Sequence, residues 1–415
     1  MSSLAEINKD LSNIQQLERD LHLKQLQVNR LLNLTQAINN NVSSRGLFDM
    51  FTSFLSWEMG IKKLALYFKD NDQWICKAFA GIPEGLIALD ISDRLPEYNR
   101  LHNLDADDHL LLKEFDVVIP VMHKKSPLAY VFIGGFEENE DMYNKVQFIT
   151  TVTNIVAVAI ENKRLFKRQL EQERLKKEME LASEMQRMLI PAILPSSNKY
   201  EFASIYRPHL GVGGDYYDVI QFDEHRIAFC VGDISGKGVA AALLMANFQA
   251  NFHSLIRKNY PLDEFVRALN ESVLRITQSE KFLTFFVAEY NTKTRELKYI
   301  NAGHNPPILV HNNEVVLLRK GCTILGSFEE LPQIEIGQGI IEGHATILAY
   351  TDGLTDLRNN DGDFLDADMI NEFTFQNNHL SAEAFNDKLM REIKLFKGRQ
   401  DFPDDFTILT CKIFE

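Results

Sequence analysis

From Phe282 to Phe414 the chain is a succession of short apolar runs paired across polar turns. "FLTFFVAEY" and "ELKYINAG" flank "NTKTR", "PPILV" and "EVVLLR" flank "HNN", and "HATILAY" and "FTILTCKIF" follow. Runs of this length, rich in β-branched and aromatic residues and bounded by such turns, are hairpin strands. Two helix-like runs, "AAALLMANFQANFHSLIRKN" and "LDEFVRALNESVLRITQ", precede them, after the strand-like "RIAFC". Consecutive antiparallel strands with helices inserted in blocks predict an α+β layered domain over residues 198–415, not a parallel doubly wound sheet.

The remainder divides into three. In residues 1–34, Leu4, Ile7, Leu11, Ile14, Leu17, Leu21, Val28 and Leu32 recur mostly at three- and four-residue steps, the pattern of one helix face. This suits a coiled coil or an amphipathic helix docked on the next domain. Residues 35–160 are globular in composition. The helix-like "LFDMFTSFLSWEMG" is followed by strands "KKLALYFKD" and "DQWICKAFAG" around "DND", and by "DVVIPVMHKKSPLAYVFIGGF" as strand, turn and strand. This order, ending in a helix that includes "NIVAVAI", resembles a GAF domain, which implies a sensory sheet with helices packed against it. Trp57, Tyr130, Phe132 and Tyr143 read as packing residues. Residues 161–197 form a charged helix with a narrow apolar stripe, Leu175, Met179, Ala182, Met185 and Leu189, ended by Pro191 and Pro195. A polar helix with so thin a stripe is poorly stable alone. It is expected to pair with its copy in a homodimer, or to act as a rigid spacer.

The formal charge of -14 argues against sequence-independent nucleic-acid binding, which needs a basic face to displace counterions. The opening residues lack a signal-peptide layout, and "ITTVTNIVAVAI" is too short to cross a bilayer. Cys76, Cys230, Cys322 and Cys411 form no CxxC pair, as expected of thiols in a reducing compartment. A cytoplasmic location is the expectation.

The loop "VGDISGKG" after "RIAFC" invites comparison with phosphate cradles. A P-loop needs four residues between its first glycine and the Gly-Lys pair, then Ser or Thr. Here only three residues separate Gly232 from Gly236, and Gly238 replaces the hydroxyl residue. The dinucleotide fingerprint fails too. The glycines are better read as a tight turn beside Asp233. That aspartate has company in "GVGGDYYD" (Asp215, Asp218), "AYTDGLTD" (Asp352, Asp356) and "FPDDFTIL" (Asp404, Asp405). A carboxylate just after a strand is held rigidly, and neighbouring glycine admits backbone or ions closely. If these carboxylates converge they need cations, and an oxygen-only ligand set selects hard ions, Mg²⁺ or Mn²⁺.

"PHLGVGGDYYDV", "VGDISGKGVAAALLMA", "NAGHNPP", "YTDGLTD" and "DDFT", with the entrance helix "LASEMQRMLIPAILP", strongly resemble the SpoIIE-type branch of the metal-dependent PPM serine/threonine phosphatases. With its upstream sensor and helix, the arrangement is similar to RsbU-like phosphatases of bacterial partner-switching pathways. The resemblance implies an αββα sandwich with two central metals between the sheets. It implies that Asp233 bridges both ions, with the Ile234 carbonyl as a further ligand. Asp215 would bind one ion, and Asp352 and Asp404 the other. Asp404 is preferred to Asp405 because the motif places its ligand three residues before the Thr, here Thr407. Asp218 and Asp356 would organise hydrogen bonds around the ligands or serve as alternative ligands. Asp233 and Asp215 are then catalytic through the metals they hold, with no phosphoenzyme. Ser235 stands where the eukaryotic branch has His. His304 is a candidate general acid or a brace for the proline turn, and Lys237 a candidate phosphate-steering charge or a solvated lysine. The implied substrate is a phosphoserine- or phosphothreonine-bearing anti-anti-sigma (STAS) protein, with sensor input passing through residues 161–190 to metal affinity. A non-catalytic phosphoprotein scaffold and a two-metal nucleotidyl cyclase are the alternatives.

Overall fold

The computed structural model describes residues 2–70, 73–104, 109–123, 126–136, 142–278 and 280–415. The chain forms two compact units, Met1–Gln172 and Glu173–Glu415.

The first unit opens with α1 (Ser2–Asn39) and α2 (Ser44–Ser53), the latter capped by Ser43 Oγ accepting from Gly46 N–H and extended by a π turn over Phe54–Glu58. β1 (Lys63–Asp70), β2 (Gln73–Ala80), the short α3 (Glu84–Ile87), β3 (His102–Asn103), β4 (Val117–His123) and β5 (Ser126–Gly134) follow. The five strands form an antiparallel sheet in the order β2-β1-β5-β4-β3. Alternation along the strands gives each face its own core. The helix side gathers Leu64, Leu66, Phe68, Ile119, Val131 and Ile133 against Leu47, Phe51, Ile149 and Val156. The opposite face gathers Ala65, Tyr67, Val118, Tyr130 and Phe132 under Ile91, Leu95, Tyr98, Leu111 and Phe115. Tyr130 and Phe132 are thus core residues, whereas Trp57 and Tyr143 lie exposed. The turn residues Asn71, Asp72, Lys124 and Lys125 lie outside the described residues, as do the side chains of Leu4, Ile7 and Leu11. Of the remaining α1 stripe, Ile14, Leu17, Leu21, Val28 and Leu32 are exposed.

α4 (Met142–Arg187) carries the chain from the first unit into the second. The second unit continues with β6 (Tyr200–Arg207), β7 (Asp215–Gln221), β8 (Arg226–Ile234), α5 (Gly238–Ile256), α6 (Leu262–Thr277), β9 (Leu283–Asn291) and β10 (Glu296–Ala302). β11 (Ile308–His311), β12 (Glu314–Leu317), β13 (Gly321–Cys322), β14 (Gly337–Ile340), β15 (Ala345–Tyr350), α7 (Ala367–Gln376), α8 (Ala382–Lys397) and β16 (Phe406–Ile413) complete it. One sheet runs β13-β10-β9-β8-β7, with β14 on β10, and the other β12-β11-β15-β16-β6. Phe229, Phe286, Ile347, Leu409 and Cys411 share the core between them. α5 and α6 cover the first sheet through Phe248, Phe252, Phe265 and Leu269. α7 and α8 cover the second through Ile370, Phe385, Leu389 and Ile393. The result is four layers, helix, sheet, sheet and helix: the α+β layering of the hairpin pattern, in the αββα order the resemblance implies. α5 is long and apolar enough to cross a membrane by length and composition, but its Met245, Phe248, Phe252 and Ile256 are buried in this core. The four cysteines are free thiols.

Candidate metal centre

Strand register builds the first half of the site. Asp215 at the start of β7 lies directly opposite Asp233 near the end of β8, and Asp233 lies opposite Thr284 on β9. Residues opposite one another in an antiparallel pair share a face, so the two carboxylates stand side by side facing the second sheet. Thr351 and Thr407 from that sheet donate to Asp215 Oδ2 at 2.8 and 2.5 Å. These hydroxyls fix the orientation of the carboxylate beside Asp233.

Loops of the second sheet supply the second half. The turn after β15 carries Asp352 and Asp356, closed by Asp356 N–H donating to the Asp352 carbonyl at 2.8 Å. Gly353 is required there: a Cβ would stand 1.9 Å from the Asp405 carbonyl oxygen. Asp404 Oδ1 accepts from Asp405 N–H, and its Oδ2 is 2.8 Å from Lys237 Nζ. Asp405 is spent otherwise. Its two oxygens accept from the amides of His209 and Gly214 at 2.8 and 2.7 Å, fastening the glycine loop before Asp215 to the start of β16. Of the adjacent pair, Asp404 has the carboxylate that can exchange its partner for an ion.

The glycine loops give the room that the sequence suggests. A Cβ on Gly213 would strike the Asp405 carboxylate at 2.2 Å, and one on Gly214 would lie 2.6 Å from the Ile234 carbonyl oxygen. Gly236 and Gly238 adopt φ of +115° and +72°, turning the chain from β8 into α5. Ser235 Oγ accepts from Phe282 N–H and so braces this turn.

The electrostatics follow from crowding. Burial, then Asp233, raises the Asp215 pKa well above the carboxylate range, against the pull of the two threonine hydroxyls. Burial, then Asp352, Asp404 and Asp405, raises that of Asp233. Asp352 is raised by burial, Asp356 and Asp404. Two like charges about 4 Å apart at an effective dielectric near 20 repel by about 4 kcal/mol, more than a typical hydrogen bond returns. Such an edge calls for cations, and its all-oxygen donors fit hard divalent ions. Among the described residues, no three His, Cys, Asp or Glu groups already enclose one ion point.

Two expected residues fall elsewhere. Asp218 is three residues from Asp215, and that odd spacing places it on the opposite face of β7. It accepts from Tyr216 Oη at 2.6 Å and Val219 N–H at 2.7 Å, and pairs with His253 Nε2 at 2.7 Å. It neither ligates with nor supports the metal edge. His304 is buried, its Nδ1 is 2.9 Å from Thr284 Oγ1, and burial lowers its pKa to about 4. The Thr284 contact is the bracing arrangement at the proline turn. Asp356 is exposed on the rim beside Asp352. Sequence reasoning passed over Thr351, Thr407 and Gln186. The threonines lie within the quoted motifs, but Gln186 gave no signal beyond its place in "LASEMQRMLIP".

The sequence model of the family described as Stage II sporulation protein E (SpoIIE) matches residues 223–414. The phosphoserine phosphatase RsbU of Bacillus subtilis is 25% identical over 277 residues, covering 66% of this chain and 80% of that protein. RsbP, a phosphoserine phosphatase of the same organism, is 26% identical over 187 residues, covering 44% of this chain and 46% of its own length. The solved SiaA-PP2C domain of Pseudomonas aeruginosa superposes with a TM-score of 0.51 at 18% identity, covering 59% of this chain and 99% of that domain. Over residues 223–414 the second unit is thus similar to the SpoIIE family, and its fold is that of a PP2C phosphatase domain.

Proposed function

We propose that the second unit hydrolyses phosphoserine or phosphothreonine in a protein substrate, using two Mn²⁺ or Mg²⁺ ions held by Asp215, Asp233, the Ile234 carbonyl, Asp352 and Asp404. The observation that carries this reading is the side-by-side pair Asp215–Asp233, with Asp352 and Asp404 within electrostatic reach. Bound divalent ions supply Lewis acidity and neutralise phosphate charge. The chain's own residues do the rest. Thr351 and Thr407 hold Asp215 in one orientation, and Asp405 anchors the loop behind it. Lys237, once released from Asp404, is a cation at the rim that attracts the phosphate. The phosphatase fold leaves the cyclase alternative without support, and the complete carboxylate set disfavours the scaffold.

The same proposal makes the first unit a GAF-like sensor and the substrate a STAS-type phosphoprotein in a cytoplasmic partner-switching pathway, in line with the relatives named above. Homodimer formation through the helices is supported by exposed members of the apolar stripes, Leu17 and Leu21 in α1 and Leu175 and Met185 in α4. The test is hydrolysis of p-nitrophenyl phosphate and a phosphoserine peptide by the full chain in EDTA, Mg²⁺ or Mn²⁺. Metal-dependent release that Asp233→Asn reduces to background is expected. Release unaffected by EDTA, or retained in Asp233→Asn, refutes the reading.

A further inference from the structure

Gln186 lies in the last turn of α4 and is buried. Its Nε2 donates to the Gly213 carbonyl at 2.6 Å, and its Oε1 accepts from Gly213 N–H at 3.0 Å. One side-chain amide thus grips both polar groups of one peptide residue, as a neighbouring strand would. Two bonds to a single residue restrain its rotation as well as its position.

The gripped residue matters because at this point the loop has no side chain of its own to fix it. Gly213 and Gly214 have no side chains, and glycine is the residue most free to move. Asp405 holds this loop from the far side through Gly214 N–H. Gly214 leads directly into Asp215 and packs beside the Ile234 carbonyl. We propose that Gln186 is a positioning residue for Asp215: by clasping Gly213 it sets where that carboxylate stands, and so how tightly the site holds a divalent cation. This rests on the metal-dependent reading above and adds to it the point where the helix meets the ligand loop.

The helix end has a separate anchor. Ile190 is buried in the core between the sheets, so substitution of Gln186 leaves that attachment in place. The experiment uses the full chain, with Mn²⁺ binding measured by calorimetry and melting measured in EDTA. Gln186→Ala is expected to weaken Mn²⁺ binding about tenfold, in the range for residues that orient ligands, while the melting temperature in EDTA moves by no more than about 2 °C. In Gln186→Glu, the protonated carboxyl has one donor and one acceptor like the amide, whereas the ionised form sets an acceptor, in place of the Nε2 donor, against the Gly213 carbonyl. Its deficit against the unmodified chain at each pH should therefore narrow between about pH 8 and about pH 6. Unchanged affinity in Gln186→Ala, with Asp233→Asn losing Mn²⁺, overturns the clasp and spares the metal site. A loss of affinity that tracks a loss of metal-free stability, without narrowing in Gln186→Glu, overturns it as well. Failure of the unmodified chain to bind Mn²⁺ removes the metal reading itself.

Discussion

Asp215 and Asp218 lie on one strand, three residues apart, both buried, and their surroundings are opposite in kind. Asp218 faces the helices, where a tyrosine hydroxyl, a histidine and a backbone amide surround it. Asp215 faces the other sheet, where two threonines hold one oxygen and another carboxylate crowds it. A buried acid with a full set of donors is finished as structure. A buried acid beside other acids and glycine carries uncompensated charge, which is why the proposed function assigns it a cation.

The largest expected effect lies on the incomplete face. Asp233 has its pKa raised in the folded chain from 3.8. The stability linked to its protonated form is present below the unfolded value and lost as pH rises through the folded one. Metal-free Asp233→Asn should therefore melt with the unmodified chain near pH 4 and about 5 °C above it at pH 8, with the order reversed in Mn²⁺. Thermal melts across this range in EDTA and in Mn²⁺ check both signs. The same melts should show the contrary for Asp218→Asn, a loss of about 2 kcal/mol with Mn²⁺ affinity within about twofold, because a buried charge-assisted network is weakened. Loss of Mn²⁺ binding there would erase the distinction between the faces. The smallest effect belongs to Lys237→Met. Half-exposed Lys237 contributes within about 0.5 kcal/mol to stability. Its removal frees Asp404 and should tighten Mn²⁺ binding about two- to threefold by calorimetry.

The layered fold was legible because β9, β10, β15 and β16 are apolar runs bounded by clear turns. The edge strands β13 and β14 were not, since "GC" and "GQGI" carry no such pattern. The carboxylate motifs could be read because they place Asp at strand ends, mostly beside glycine. The difference between Asp215 and Asp218 was also available, from strand periodicity alone, but reading them as one motif hid it. The burial of His304 depends on how "NAGHNPP" folds against Thr284, which spacing does not disclose. Gln186 depends on a partner 27 residues away and on a contact to backbone, which has no side-chain signature.

β16 sits between β15 and β6, so the strand Tyr200–Arg207 gains its ladder only from residues about two hundred positions later. The same segment brings Thr407 to Asp215 and Asp405 to the glycine loop. During synthesis, every ligand-bearing strand up to Tyr350 therefore emerges before the site can close. Such long-range pairing is slow to form, so the proposed ligand edge is assembled last, when the strand ending at Ile413 has paired with the one that began two hundred residues earlier.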